Sequence, residues 1–385
     1  MRFNWKKLKK IDQNDLSVVL NGPFNKHTYN AVKRVLKVLP KSKIIVSCWE
    51  QDDTTLIENI PNVLIVKSQD PGGLKLPGVF QMGMNYNRMI VAVRAGLKLV
   101  NTKYVLRMRN DLSLHDDRIL VDYNYYFPKK EEKYSLFKEK IVTLSSFTQK
   151  IAVLPEYNDV NVSVSDWLHL GLTEDVKLYW NRIELIENQE EFANYYSNHP
   201  KYKDNDYAFK AFAFPEVYFT SFSVKEKFEI KNIGMYDTKL TDEEKEVNKH
   251  ILFNNFIPLN YNMTKIWNQK SRYMVAQLLS FALFESWFYL DFLYWYQETF
   301  KDKQVQSRFG WINKTKNMYL SHWSFVRKMK ISNRKEHIVW IFRLLTIWFL
   351  NILYMLFVKV FYRFIFLFEK RNFLKFKIKK TSCQN

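Results

Sequence analysis

Short apolar segments alternate with amphipathic helical segments over the first hundred residues, and this alternation limits the fold more than any other feature. Apolar runs of strand length cover 16–20, 43–49 and 62–67. Apolar residues recur at helical spacing over 27–39 and 85–100. Strands that alternate with helices build a mostly parallel sheet with both faces covered, so the sequence predicts an α/β fold.

A fourth predicted strand, 103–111, carries the clearest functional signal. Side chains alternate between the faces of a strand, so one face of this strand presents Arg107, Arg109 and Asp111. Ligands of open α/β sheets bind at the carboxyl ends of the strands. Two guanidinium groups suit a diphosphate, and a carboxylate suits a bridging divalent cation or a sugar hydroxyl. A surface ion pair at the end of a strand would produce the same run of residues.

Two common nucleotide-binding motifs are absent from the sequence. No G-x-x-x-x-G-K-[ST] occurs, and no G-x-G-x-x-G follows the first strand. These absences argue against a P-loop enzyme and against a standard dinucleotide-binding fold.

Several blocks of sequence, in order along the chain, resemble the WavE-type family of lipopolysaccharide-synthesis proteins. The resemblance extends from about residue 15 to 224 and includes the blocks Ser17–Pro23, Val46–Glu50, Asp70–Gly72, Asn87–Arg88, Thr102–Asp111 and Ser165–Trp167. It implies a GT-A-like nucleotide-sugar transferase domain with a mixed, mostly parallel sheet. It also implies transfer of a sugar from a nucleotide-sugar donor to a lipid-linked glycan acceptor, such as lipopolysaccharide, lipooligosaccharide or another surface glycan.

The donor site is predicted at the carboxyl ends of the strands. Its residues come from the matching blocks, from the loops after the first and third strands and from the Arg-rich strand: Gly22, Pro23, Asp70, Pro71, Gly72, Arg88, Arg107, Arg109 and Asp111. The resemblance to GT-A-like enzymes implies a pair of acids flanking one residue, and here Arg109-Asn110-Asp111 has a single acid. The negative charge of the departing diphosphate could then be neutralised in two ways: by a Mg²⁺ or Mn²⁺ ion near Asp111, or by the arginines alone.

Two acids are candidates for the catalytic base that an acceptor hydroxyl requires. Glu216, in a Pro-Glu pair that matches the family, is the first choice, and Asp166 is the second. The alternating run within 161–167 predicts a strand that is followed by Asp166 and Trp167. The indole of Trp167 is predicted to form an apolar wall against the acceptor sugar. Glu216 could instead cap a helix, and Asp166 could form an Asx turn. A helix is predicted to follow over 174–196.

The chain is predicted to have four parts: a basic arm (1–14), the transferase domain (15–258), a helical linker (259–335) and a membrane-associating tail (336–385). The formal net charge is +20, and from residue 301 onward nineteen Lys and Arg face three acids. The basicity therefore belongs mainly to the C-terminal part of the chain.

The tail is predicted to be α-helical and to rest on a membrane surface. It contains an apolar, aromatic run at 338–368, flanked by basic segments at 327–335 and 370–380. A single span would place one basic flank across the membrane, against the positive-inside preference. A monotopic element on the cytoplasmic face of the inner membrane fits better. The two cysteines lie far apart, and this favours a reducing compartment without a disulfide.

Two other functions remain open from the amino-acid sequence alone. One is a non-catalytic scaffold of a glycan-assembly complex that has kept the fold. The other is a basic nucleic-acid-binding protein. A continuous apolar run would not stay exposed in water as the stacking surface of a nucleic-acid site, so no nucleic-acid partner is expected.

Overall fold

The structure is a computed structural model that describes most of the first 301 residues. The described residues are 8–75, 83–145, 148–152, 162–192, 215–228, 240–259, 261–269, 284–286, 292, 295–296 and 299–301. The chain divides into two units, Lys9–Arg327 and Met1–Leu8 with Lys328–Asn385. The predicted tail, 336–385, and most of the predicted linker lie outside the described residues, so both stay predictions.

Strands and helices alternate through the first part of the chain, as predicted. The elements are β1 (Leu16–Asn21), α1 (Lys26–Val38), β2 (Lys43–Trp49), β3 (Val63–Ser68), β4 (Leu74–Lys75), β5 (Gly83–Met84), α2 (Tyr86–Lys98), β6 (Tyr104–Arg109) and β7 (Leu112–Leu114). Helix α1 begins where Asn25 and Thr28 form a reciprocal capping box. Helix α2 approaches β1 closely, because a Cβ at Gly96 would lie 2.6 Å from Val19 Cγ1.

The second part of the described chain contributes three more strands to the main sheet. Its elements are α3 (Tyr123–Tyr126), β8 (Ile141–Leu144), β9 (Gln149–Ala152), β10 (Leu168–Leu172), α4 (Thr173–Asn181), α5 (Pro215–Phe228), α6 (Asp242–Asn255), β11 (Phe256–Leu259), α7 (Tyr261–Thr264), β12 (Ile266–Asn268) and β13 (Phe284–Ser286). The main sheet has seven strands in the order β3-β2-β1-β6-β10-β8-β11. Strand β10 is antiparallel to both of its neighbours, and the other strand pairs in this sheet are parallel. This mixed, mostly parallel sheet confirms the predicted α/β class.

The predicted strand at 161–167 is wrong. Residues 164–167 form a loop, and the strand of this region is β10, directly after it. Side-chain hydroxyl groups accept hydrogen bonds from the backbone N–H groups of this loop. Thr220 Oγ1 accepts from the Val164 N–H at 3.1 Å, and Thr148 Oγ1 accepts from the Ser165 N–H at 3.1 Å. These bonds replace a strand ladder, and the periodicity of the sequence does not reveal them.

The predicted helix at 174–196 is too long, since α4 ends at Asn181. Arg94 of α2 captures the carbonyl groups at the end of this helix. Its Nε donates to the Trp180 carbonyl at 3.0 Å, and its Nη2 donates to the Asn181 carbonyl at 2.9 Å. A side chain from another element therefore ends the helix.

Candidate functional site

The antiparallel strand β10 brings the separately predicted site residues to one edge of the sheet. Leu168 of β10 pairs with Met108 of β6, so the residues that precede β10 meet those that follow β6. The Arg109 N–H donates to the Trp167 carbonyl at 3.1 Å. Strands β1, β2 and β3 run parallel to β6 and end at the same edge. Asp166, Trp167, Arg109 and the loops after the parallel strands therefore share this edge.

Arg109 is held rigidly, with one edge of its guanidinium left over. Its Nε donates to Asp111 Oδ1 at 3.1 Å and its Nη2 to Asp111 Oδ2 at 2.7 Å. Its Cζ lies 5.0 Å from the centroid of the Trp167 ring. The side chain is 27% exposed, and no described residue bonds its Nη1 atom. A guanidinium fixed in this way can offer its Nη1–Nη2 edge to a phosphate as a second fork.

Arg107 lies beneath the site and has no exposed surface. Its Nη1 donates to the Asp166 carbonyl, its Nη2 contacts Met89 Sδ at 2.8 Å, and its Cζ lies 4.6 Å from the centroid of the Trp180 ring. Burial lowers the pKa of the Arg107 guanidinium to about 9. The diphosphate contact predicted for Arg107 stays a prediction. In this structure other residues cover its guanidinium.

The two candidate bases, Asp166 and Glu216, meet in the structure. Asp166 is 3% exposed and Glu216 is 5% exposed, and each has one buried carboxylate oxygen without a hydrogen-bond partner among the described residues. Their side chains share a hydrogen bond. Burial raises the pKa of both carboxyls, and the charge of Asp166 adds to the rise for Glu216.

Two arginines bias this carboxyl pair. Arg109 and Arg107, in that order, oppose the rise in the pKa of Asp166, whereas the pKa of Glu216 is raised well above its ordinary value. Of the two carboxyls, Glu216 therefore has the more strongly raised pKa. The two groups titrate as a pair beside a cationic side chain.

Gly22 and Pro23 form the loop after β1 and lie against Asn110. The Gly22 N–H donates to the Ser47 carbonyl at 3.0 Å, and Asn110 Nδ2 donates to the Pro23 carbonyl. Gly22 has a φ of 129°, which favours glycine. This loop therefore connects β1 and β2 to the end of β6 through backbone carbonyls.

Asp70 and Arg88 form a bidentate ion pair in the loop after β3. Arg88 donates from Nε to Asp70 Oδ1 and from Nη2 to Asp70 Oδ2, each at 2.7 Å. The hydrogen bonds from Arg88 hold the pKa of Asp70 below its ordinary value. Asp70 also accepts from the Gly72 N–H at 3.0 Å, and Pro71 accepts from Gln189 Nε2 at 3.2 Å. These contacts give the loop a fixed shape.

Asp111 lies where the sequence predicts a Mg²⁺ or Mn²⁺ ion. Both Asp111 carboxylate oxygens accept hydrogen bonds from Arg109. Among the described residues, no three His, Cys, Asp or Glu side chains are placed to hold a metal ion. Because Mg²⁺ is commonly held by one or two carboxylates together with substrate phosphates, the ion stays a prediction.

Sequence reasoning missed three residues that support the site. Asn110 fixes the loop after β1, Met89 contacts Arg107, and Trp180 packs against the same guanidinium. Asn110 stands between Arg109 and Asp111 in the sequence, and that position was its only signal. Met89 and Trp180 look like ordinary core residues on amphipathic helices.

Within the described part of the chain, no helix has both the length and the apolar character that crossing a membrane requires.

The chain belongs to the WavE lipopolysaccharide synthesis family, whose sequence profile matches residues 16–319. This confirms the resemblance in the sequence. No curated protein matches the chain.

Solved structures that match part of the chain, each with a TM-score below 0.3, include two structures of a galactosyltransferase and one of a synthase. The 4-diphosphocytidyl-2C-methyl-D-erythritol synthase from Anaerococcus prevotii has 10% identity and a TM-score of 0.29, with 47% of this chain and 84% of that chain covered. The galactosyltransferase LgtC with donor and acceptor sugar analogs has 12% identity and a TM-score of 0.26, with 42% and 59% covered. An active-site mutant of LgtC has 12% identity and a TM-score of 0.26, with 47% and 69% covered.

Proposed function

We propose that this protein is a glycosyltransferase that moves a sugar from a nucleotide-sugar donor to a lipopolysaccharide, lipooligosaccharide or other surface glycan. One observation carries the proposal. Arg109, fixed by Asp111 and Trp167, leaves a phosphate-sized edge of its guanidinium beside the Asp166–Glu216 carboxyl pair. An anion-binding fork next to a base is what sugar transfer from a nucleoside diphosphate requires. Membership of the lipopolysaccharide synthesis family supports a glycan as the acceptor.

The reaction we propose is direct displacement at the anomeric carbon. The acceptor hydroxyl oxygen forms a bond to this carbon while the bond to the diphosphate oxygen breaks, and the bonding electrons leave with the nucleoside diphosphate. The hydroxyl proton passes to the ionised carboxylate of the pair. Arg109 stabilises the charge that develops on the leaving diphosphate, and this stabilisation increases toward the transition state.

Asp166 is the member of the pair that we assign as the base, with Glu216 as the holder of the shared proton. This reverses the order predicted from the sequence. A base must be ionised at the working pH, and the raised pKa of Glu216 favours its neutral form. Arg107 donates to the Asp166 carbonyl and thereby holds the turn that carries this carboxylate.

The other residues predicted for the donor and acceptor sites have the following proposed roles. The loops of Gly22 and Pro23 and of Asp70, Pro71 and Gly72, with Arg88, bind the nucleoside side of the donor. Trp167 stays the predicted wall for the acceptor sugar. Arg109 already covers part of its ring, which supports a role in holding the guanidinium as well.

The cytoplasmic face of the inner membrane is the proposed location. The sequence of 336–385 combines aromatic residues with basic flanks, which suits reversible binding to an anionic leaflet. An enzyme that rests on this surface would meet a lipid-linked acceptor without a search through the cytoplasm.

A thermal-shift screen tests the proposed donor class. The full chain is screened against nucleosides, nucleoside diphosphates and nucleotide-sugars, with and without Mg²⁺ or Mn²⁺. We expect stabilisation by one class of nucleoside diphosphate and its sugar esters, followed by hydrolysis or transfer of the bound sugar. A scaffold would bind without turnover. A steeply salt-dependent affinity for DNA or RNA that survives removal of 336–370 would support the nucleic-acid alternative instead.

A further inference from the structure

Asn110 ties the loop after β1 to the carboxyl end of β6 through three hydrogen bonds. Its backbone N–H donates to the Asn21 carbonyl at 3.1 Å. Its Nδ2 donates to Thr28 Oγ1 at 2.8 Å and to the Pro23 carbonyl. The residue is buried, so water does not compete effectively for these bonds. A single side-chain amide therefore joins β6, the loop after β1 and the first turn of α1.

The contact between the Asn110 amide and this loop leaves no spare space. A Cβ on Gly22 would lie 2.7 Å from Asn110 Oδ1, which is closer than carbon and oxygen normally approach. Thr28 itself belongs to the capping box of α1, because its Oγ1 accepts from the Asn25 N–H at 3.2 Å. The position of the loop is therefore coupled to the start of the helix and to Asn110.

Gln269 fixes the same segment from the other side. Its backbone N–H donates to the Asp111 carbonyl at 2.9 Å, and its Nε2 donates to the His27 carbonyl at 2.8 Å. The short segment that contains Asn110 and Asp111 is thus joined to the first turn of α1 by two separate side chains. This segment directly follows Arg109, whose carboxylate partner it supplies.

We propose that Asn110 is a positioning residue, which sets the spacing between the loop that binds the nucleoside and the Arg109 fork that binds the diphosphate. The proposal rests on the proposed function, since it assigns those two binding roles. Two halves of one ligand bind with an advantage when their subsites stand at the correct spacing, because the second contact is then intramolecular. A displacement of about 1 Å is enough to lose much of this advantage.

The test compares three ligands in the full chain: a nucleoside, inorganic pyrophosphate and the matching nucleoside diphosphate. Dissociation constants are measured for wild type, Asn110→Ala and Thr28→Val, which removes one acceptor of the Asn110 amide. We expect the dissociation constant of the nucleoside diphosphate to rise about tenfold in Asn110→Ala and less in Thr28→Val. The constants for the nucleoside and for pyrophosphate should change by less than about twofold.

Asn255→Ala is the matched control. Asn255 is a buried asparagine that also ties a loop to a helix, with its Oδ1 accepting from the Leu136 N–H at 2.6 Å and its Nδ2 donating to the Tyr134 carbonyl at 2.6 Å. It should lower thermal stability and leave all three dissociation constants unchanged.

Two outcomes would overturn the assignment of Asn110. One is an equal loss of affinity for all three ligands, and the other is unchanged affinity for the nucleoside diphosphate in Asn110→Ala. If wild type itself binds no nucleoside diphosphate, the proposed function fails, and the wild-type measurement alone identifies that failure.

Discussion

The carboxyl groups of Asp166 and Glu216 share a hydrogen bond at a site where both side chains are almost fully buried. Two buried carboxyl groups that interact in this way do not both ionise readily, because burial and mutual repulsion each raise the pKa. The two groups therefore titrate as a pair. The base that we propose is a carboxyl group of this pair beside Arg109 and not a histidine.

Asp166→Asn should remove the base. We expect kcat to fall by about 100-fold or more, since general-base catalysis contributes roughly 10² to 10⁴. Donor affinity should remain nearly unchanged. Glu216→Gln keeps a hydrogen-bond donor toward Asp166, so its loss of kcat should be smaller, about tenfold or less. Steady-state kinetics with isothermal titration of the donor measures both effects. A larger defect in Glu216→Gln than in Asp166→Asn would return the base to Glu216.

Glu216→Gln should also change how stability depends on pH. The pKa of Glu216 is raised in the folded protein, so the folded state holds a proton that the unfolded state releases above its ordinary carboxyl pKa. The contribution of Glu216 to the free energy of unfolding is fully present below that ordinary pKa. It is lost as the pH rises toward and through the pKa of Glu216 in the folded protein. The free energy of unfolding of the variant should therefore equal that of wild type near pH 4 and exceed it near pH 8. Thermal melts from pH 4 to 8 measure it, and a difference that does not vary with pH would contradict the burial argument.

Arg109→Ala should weaken nucleoside diphosphate binding more than nucleoside binding, because only the former presents phosphates to the guanidinium. We expect a loss of about tenfold or more, as for a charge-assisted fork. Arg118→Ala is the control, since Arg118 pairs with Asp116 at 3.1 Å in a similar short-range ion pair. Equal losses of affinity for nucleoside and nucleoside diphosphate would show that Arg109 does not bind phosphate.

Removal of divalent cations tests how the diphosphate charge is neutralised. Because Arg109 occupies both oxygens of Asp111, we expect nucleoside diphosphate binding to persist in excess chelator. Titration calorimetry with EDTA and then with Mg²⁺ or Mn²⁺ measures the contribution of the ion. Complete loss of binding in chelator would instead support the cation predicted near Asp111.

The tail predicts attachment to membranes. The full chain should sediment with membranes, and a chain that ends near Ser332 should be mostly soluble. High salt should release part of the full-length protein and detergent the rest, because about 1 kcal/mol per basic residue near the surface adds to the aromatic contribution.

Cys383 gives a sharper measurement of the same arrangement. It should be shielded from an impermeant thiol reagent added outside intact spheroplasts. Labelling of Cys383 under these conditions would mean that the tail crosses the bilayer, and the monotopic arrangement would then be wrong.

The local sequence was sufficient to predict the first four strands of the sheet and the proximity of Arg109 to Asp111. The sequence pattern located β1, β2, β3 and β6 within one or two residues. The first three are short apolar runs, and β6 alternates apolar residues with arginines. The alternation along β6 placed Arg109 and Asp111 together, since residues two apart share a face of a strand.

Tertiary structure decided how these residues act. The antiparallel pairing of β10 with β6 brings Asp166 close to Arg109, and α5 brings Glu216 close to Asp166. The burial of Arg107 and the interaction of Asp166 with Glu216 depend on groups distant in sequence, and periodicity carries no information about such contacts. The short-range pattern therefore predicted candidate residues, and long-range packing set their burial, their partners and the directions of their pKa shifts.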